Sequence, residues 1–148
     1  MKKEFREGKI PLEIQDSLWD KPGEIPVGVV GLGLMGTSIA TCLLAAGHPV
    51  LASERNAGMC HSARRRVFKF LTEVKREGLG GSEPERVVRR LKVGRGYSHL
   101  KGNKLVIECV PEKLHAKRGV IRSLVGIILS AAIIESIVSV WPGPCGRV

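Results

Sequence analysis

The sequence predicts an α/β fold, a parallel sheet with flanking helices in a single domain, and three stretches carry that prediction. An apolar run, Val27–Val30, stops at Gly31, Gly33 and Gly36, spaced G-x-G-x-x-G, and an amphipathic segment follows at once. A second short apolar run, Pro49–Ser53, comes directly after that segment and closes a β-α-β unit. A third, Leu105-Val106-Ile107-Glu108-Cys109-Val110, is rich in β-branched residues and reads as a central parallel strand.

At 148 residues the chain fits one domain, predicted to span residues 26–141 between an N-terminal arm, 1–25, and an irregular tail, 142–148. The arm is polar, is broken by Pro11, Pro22 and Gly23, and offers only Leu12, Ile14, Leu18 and Trp19 as apolar anchors. Its first residues are charged with no apolar segment behind them, so the arm does not read as a secretory signal. Cys42, Cys60, Cys109 and Cys145 form no C-x-x-C pair, which predicts reduced thiols, a cytoplasmic setting and no metal site. The net charge of +10 points to anionic partners. Aromatic residues make up only 4% and do not interleave with the basic ones, which argues against a nucleic-acid surface. Residues 124–134 are free of charge until Glu135, a window too short for a bilayer, so no membrane partner is expected.

Taken in order, the glycine turn leads into a helix expected over Thr37–Ala46, with Ile39, Leu43 and Ala46 at helical spacing and Gly47 as its stop. The strand Pro49–Ser53 ends at Glu54. A helix over Ala57–Glu77 follows, with Val67, Phe70, Leu71 and Val74 on its apolar stripe and Gly78 as its stop. Its other face carries Arg64, Arg65, Arg66, Lys69, Lys75 and Arg76, read as a solvated face or as a phosphate contact. Ser82-Glu83-Pro84-Glu85 has the form of a capping box ahead of a short helix bearing Val87, Val88 and Leu91. Lys92-Val93 is a marginal third strand before a loop, Gly94–Lys104. After the strand at 105–110, which Pro111 ends, a helix is expected from Lys113 to about Leu129, then a last strand over Ala131–Ile134.

The glycines point to chemistry. Gly31 permits the tight turn, Gly33 lets backbone N–H groups approach a pyrophosphate, and Gly36 lets the helix pack closely on the sheet. The helix N-terminus adds positive partial charge for the phosphates. Glu54 lies 18 residues beyond Gly36, near the ~20 expected of the acid that hydrogen-bonds an adenosine ribose. A carboxylate there favours NAD over NADP, while the adjacent Arg55 leaves NADP open. The arrangement is that of a Rossmann-type doubly wound sheet. Strand C-termini face the ligand crevice in such sheets, which places Val110, Pro111, Glu112 and Lys117 near the other end of a dinucleotide.

The glycine turn, the Ala46-Gly47-His48 to Glu54 segment and the block Leu105–Glu112 with Lys117 together resemble the NAD-binding domain of 3-hydroxyacyl-CoA dehydrogenases, over roughly residues 26–140. The turn alone would also suit 3-hydroxyisobutyrate and 6-phosphogluconate dehydrogenases. The V-I-E-x-V-P-E block decides between them. The resemblance implies that Gly31, Leu32, Gly33, Leu34, Met35 and Gly36 wrap the pyrophosphate of NAD and that Glu54 takes the ribose. It sets Val110, Pro111, Glu112 and Lys117 beside the nicotinamide half. Ser139 matches the family serine that contacts cofactor and substrate hydroxyl, but Ile137 and Val138 stand where the family has Asn and Thr. The family's catalytic histidine has no counterpart in His48, His61, His99 or His115; it and a helical substrate domain would lie past Val148. Two functions follow from the resemblance. One is the cofactor domain of a fatty-acid oxidoreductase that also meets acyl-CoA and works with a further domain or a second copy. The other is a non-catalytic NAD-binding or interaction module.

Overall fold

The computed structural model describes Gly23 and residues 25–111, 113–128 and 133–136. The rest of the arm, the tail, Glu112, Ser139 and Cys145 lie outside them. Five parallel strands form one sheet: β1 (Val27–Val30), β2 (Val50–Ser53), β3 (Leu91–Gly94), β4 (Leu105–Glu108) and β5 (Ile133–Ser136), in the order β3-β2-β1-β4-β5. The first strand is central, pairing Val27 with Val50 on one side and with Leu105 on the other. The chain therefore reverses its direction of winding at the β1–β4 boundary, where ligand crevices of open sheets form.

Residues alternate between two apolar layers, as a pleated strand with both faces covered requires. Val29, Val50, Ala52 and Leu91 join one buried cluster with Leu44, Ala63, Val67 and Leu71. These last four come from α1 (Leu34–Ala45) and α2 (Ala57–Arg76). Val30 and Val106 join the other with Leu100, Val120, Leu124 and Ile128, from the 3₁₀ turn Ser98–Leu100, from α4 (Leu114–Val125) and from the residues just after it. A short helix, α3 (Pro84–Val88), feeds β3.

Several expected boundaries move. Helix α1 begins at Leu34, three residues before Thr37, because Gly33 is already in N-cap conformation. The capping box does not form: Glu83 is the N-cap of α3 and makes no side-chain cap bond, Pro84 opens the helix, and Lys75 pairs with the Glu83 carboxylate. Leu91 belongs to β3 rather than to the short helix, and the marginal third strand is a full one paired along β2. Helix α4 closes at Val125, so β5 starts at Ile133 and pairs Glu108 with Ser136. An uncharged run reads alike as helix or buried strand, so its boundary is set by pairing with β4.

Candidate cofactor site

The site opens where β1, β2 and β4 end side by side. The ladder runs one residue past each strand: Gly31 N–H donates to the Ser53 carbonyl at 2.8 Å and Cys109 N–H to the Val30 carbonyl at 2.8 Å. The chain then turns sharply. Gly31 has φ +89°, and a Cβ there would also stand 3.0 Å from the Cys109 carbonyl oxygen. Only glycine meets both conditions. A Cβ on Gly36 would fall 1.8 Å from the Gly31 carbonyl oxygen, so the first turn of α1 lies directly against the glycine turn. Gly33 differs: a Cβ would meet nothing within 4 Å. Its outer face is open, as a turn that receives a ligand must be.

Helix α1 begins in that opening. It has no side-chain cap and no acidic residue in its first turn, so its first N–H groups and positive dipole end are uncompensated by any side chain. Leu34 and Met35 are exposed there, at 78% and 52%.

Glu54, at the exit of β2, is buried and folds back on the turn. One carboxylate oxygen, Oε2, accepts from Leu32 N–H at 2.8 Å; the other, Oε1, accepts from Asn56 N–H at 2.8 Å. Each oxygen keeps acceptor capacity after one such bond, so the carboxylate can take hydroxyls while holding the turn. Asn56 in turn caps α2, its Oδ1 accepting from Met59 N–H.

Arg66 was not legible as part of the site. The sequence places it on a solvated basic face, but its Nη1 donates to the Leu32 carbonyl at 2.7 Å and to Thr37 Oγ1 at 2.9 Å, and its Nη2 to the Met59 carbonyl at 3.1 Å. Thr37 Oγ1 itself donates to the Leu32 carbonyl. The guanidinium thus braces the turn from behind. The buried stripe Ala63, Val67, Leu71 places position 66 at its edge, which is the signal that reveals it. Arg64, though exposed, also bonds the Leu91 carbonyl, at 2.8 Å.

At the exit of β4 the material changes to charge. Glu108 is fully buried; its Oε2 lies 3.2 Å from Lys117 Nζ, and its Oε1 accepts from Val110 N–H at 2.5 Å. Lys117, from the first turn of α4, is thereby drawn to the buried carboxylate at the end of β4. The sequence shows Glu108 only as part of a strand, and nothing in the apolar pattern marks it as this partner. Cys109 beside it stays protonated: burial, then the Glu108 charge, push its thiol up to about 11, against a smaller opposing pull from Lys117. Among the described residues no cluster of His, Cys, Asp or Glu could hold a metal ion, and no helix is long and apolar enough to cross a membrane.

A parallel sheet of this order, a glycine turn against a helix N-terminus and an acid at the end of the second strand define a dinucleotide-binding domain. Residues 26–142 match the family described as 3-hydroxyacyl-CoA dehydrogenase, NAD binding domain, and the chain belongs to that family. Its cofactor is NAD. The peroxisomal fatty acid beta-oxidation multifunctional protein of Oryza sativa subsp. japonica is 34% identical over 106 residues, covering 70% of this chain and 15% of that protein. A similarly named protein of Arabidopsis thaliana is 31% identical over 99 residues, 66% of this chain and 14% of its own length. Among solved structures, FadB2 of M. tuberculosis aligns with TM-score 0.72 and 30% identity over 78% of this chain and 41% of that one. The 3-hydroxybutyryl-CoA dehydrogenase of Escherichia coli K12 aligns with TM-score 0.71 and 26% identity, over 78% and 25%. The chain therefore spans less than half the length of these relatives.

Proposed function

We propose that this domain holds NAD for hydride transfer with a 3-hydroxyacyl-CoA. The observation that carries the reading is the Glu54–Leu32 hydrogen bond, which brings the ribose acid against the glycine turn at 2.8 Å. In this reading the turn from Gly31 to Gly36 wraps the pyrophosphate through N–H groups from Gly33 onward, those of Gly31 and Leu32 being given to Ser53 and Glu54, and Leu34 and Met35 flank it. Glu54 accepts the adenosine ribose hydroxyls. Val110, Pro111, Glu112 and Lys117 lie along the nicotinamide half, with Ser139 toward the substrate hydroxyl. The bound nicotinamide supplies the hydride acceptor. The hydroxyl proton goes to a base outside the described histidines; in support, His48 Nδ1 and His99 Nε2 each face a backbone carbonyl, Ile25 at 3.3 Å and Ala52 at 3.0 Å. The free thiols Cys42, Cys60 and Cys109 support a reducing compartment such as the cytoplasm. The second reading, a cofactor-binding module without chemistry, is favoured by one observation, the apolar Ile137 and Val138 beside Ser139.

Titration of the chain with NADH, followed by nucleotide fluorescence, tests the proposal. Saturable binding is expected, weakened about tenfold or more in Glu54→Ala, the cost of a lost charge-assisted hydrogen bond. Absence of binding overturns the cofactor assignment, and equal affinity of the variant removes Glu54 from the site. An oxidoreductase and a silent module then separate on whether the chain, joined to a family substrate domain, reduces acetoacetyl-CoA.

A further inference from the structure

Helices α1 and α2 share a groove of about 340 Å³ that has no residue in common with the cofactor site. Its walls include Ser38, Thr41 and Cys42 of α1, Phe70 and Val74 of α2, and Leu79 just beyond α2. Leu79 is held there by backbone rather than by burial. Gly78 ends α2 with φ +73°, Gly78 N–H donates to the Lys75 carbonyl at 3.0 Å, and Leu79 N–H donates to the Val74 carbonyl at 3.0 Å, the two bonds of a Schellman turn. That turn sets the residue after the glycine toward the one five positions back, here Val74, yet Leu79 stays 78% exposed. Glu73 and Glu77 also line the groove. Among the described residues Glu73 has no ion-pair partner, and Glu77 has only an exposed contact with Arg76. A fixed apolar rim beside available carboxylates suits an apolar anchor that brings an N–H donor or a cation with it.

We propose that this groove seats Leu18 and Trp19, which lie outside the described residues, so that the N-terminal arm clasps the α1–α2 face of its own chain. The chain enters beside that face. Gly23 Cα lies 4.0 Å from where a Cβ on Gly47 would stand, and the Ile25 carbonyl faces His48 Nδ1 at 3.3 Å, so the backbone runs past the C-terminal end of α1. From Gly47 back to Cys42 is about 8 Å at ~1.5 Å per helical residue. Trp19 precedes Gly23 by four residues, a reach of about 13 Å at ~3.3 Å per residue. The arm also supplies the matching chemistry: adjacent Leu18 and Trp19 for the apolar wall, an indole N–H that only donates, and Lys21 for the acids. Attachment at Gly23 gives the arm an effective concentration on the order of millimolar, which favours it over the arm of a second copy. The proposal stands whether or not the chain binds NAD.

The chain has two tryptophans, so Trp141→Phe in the full-length protein leaves Trp19 as the indole reporter. In the folded protein its emission is expected to be blue-shifted from that in urea and to be quenched by acrylamide about twofold less or better, as burial of an indole requires. Cys42→Glu and Leu79→Glu are made separately, both at exposed positions, with far-UV circular dichroism as the check of folding. Each is expected to shift the emission to the red and to remove most of the shielding. Leu18→Asp, which alters the arm alone, is expected to do the same. Trp19 as exposed in the folded protein as in urea overturns the proposal, and so does shielding that survives both groove variants. Shielding that fades on dilution overturns it as well, assigning the groove to the arm of a second copy.

Discussion

At the exits of β1 and β2 the site is made of backbone: a left-handed glycine, a helix packed on a carbonyl, an open turn and a carboxylate held by two N–H groups. At the exit of β4 it is made of charge, the buried Glu108 carboxylate beside a largely buried Lys117. The two regions fail differently. The backbone at Gly31 and Gly36 has no room for an added atom, whereas a largely buried ion pair is most sensitive to the loss of one partner. The same contrast separates what each region does in the proposed function, where the first presents N–H dipoles to phosphates and the second fixes the backbone that follows a strand.

The largest expected effect breaks the second region. Lys117→Met leaves the Glu108 carboxylate buried without that cation and is expected to cost about 3–5 kcal/mol in urea unfolding. Adding Glu108→Gln should recover most of it, because the amide oxygen can still accept from Val110 N–H. If the double variant is no more stable than the single one, the pair is not what holds this exit together.

The first region is sharpened by contrasting two of its glycines. Gly36→Ala forces a methyl to within 1.8 Å of the Gly31 carbonyl oxygen, a backbone atom that cannot swing aside, and is expected to cost about 1–3 kcal/mol together with NADH binding. Gly33→Ala adds its methyl to open space at φ −64°, so unfolding is expected to move by only about 0.5 kcal/mol while NADH binding falls. Equal stability losses would show that openness at Gly33 has nothing to do with a ligand. Arg66→Met comes next: losing the charged donors behind Leu32 is expected to cost about 1.5–3 kcal/mol and to weaken NADH, since the turn loses its brace. Normal NADH affinity in that variant would limit Arg66 to the fold.

These regions also differ in how well the sequence announces them. Gly31, Gly33 and Gly36 are visible because each backbone need excludes other residue types, and Glu54 is visible by its distance from them. The parallel sheet followed from the apolar runs, and its strand order came only with the structure. Arg66 and Glu108 were not visible as site residues, because an arginine beside a basic run and an acid inside an apolar strand look like a solvated charge and an exception. Their roles come from partners 34 and 9 residues away, Leu32 and Lys117, which only the packed sheet brings close. The displaced β5 and the unformed capping box have the same cause: pairing with β4 and the Lys75–Glu83 contact are tertiary facts that override local pattern.

The smallest effect expected is chemical and tests the environment of the charged pair directly. Cys109 sits beside Glu108 with its thiol raised from 9.0 to about 11, whereas Cys42 is exposed on α1. Thiolate is the reactive form, so two units of displacement lower its population at pH 8 by about 100-fold. Iodoacetamide followed by peptide mass analysis should therefore label Cys42 well before Cys109 in the folded chain, and the difference should vanish in urea. The sign for stability follows from the same shift. Because the folded pKa is raised, the thiol's contribution is fully present below about pH 9 and is lost as pH climbs through about 11, so unfolding should become easier across that interval. Cys109→Ser, whose hydroxyl does not ionise there, should flatten that part of the profile. Equal labelling of Cys42 and Cys109 at pH 8 would mean that the β4 exit is wet, and the Glu108–Lys117 pair would then be an exposed contact worth well under the loss expected of Lys117→Met.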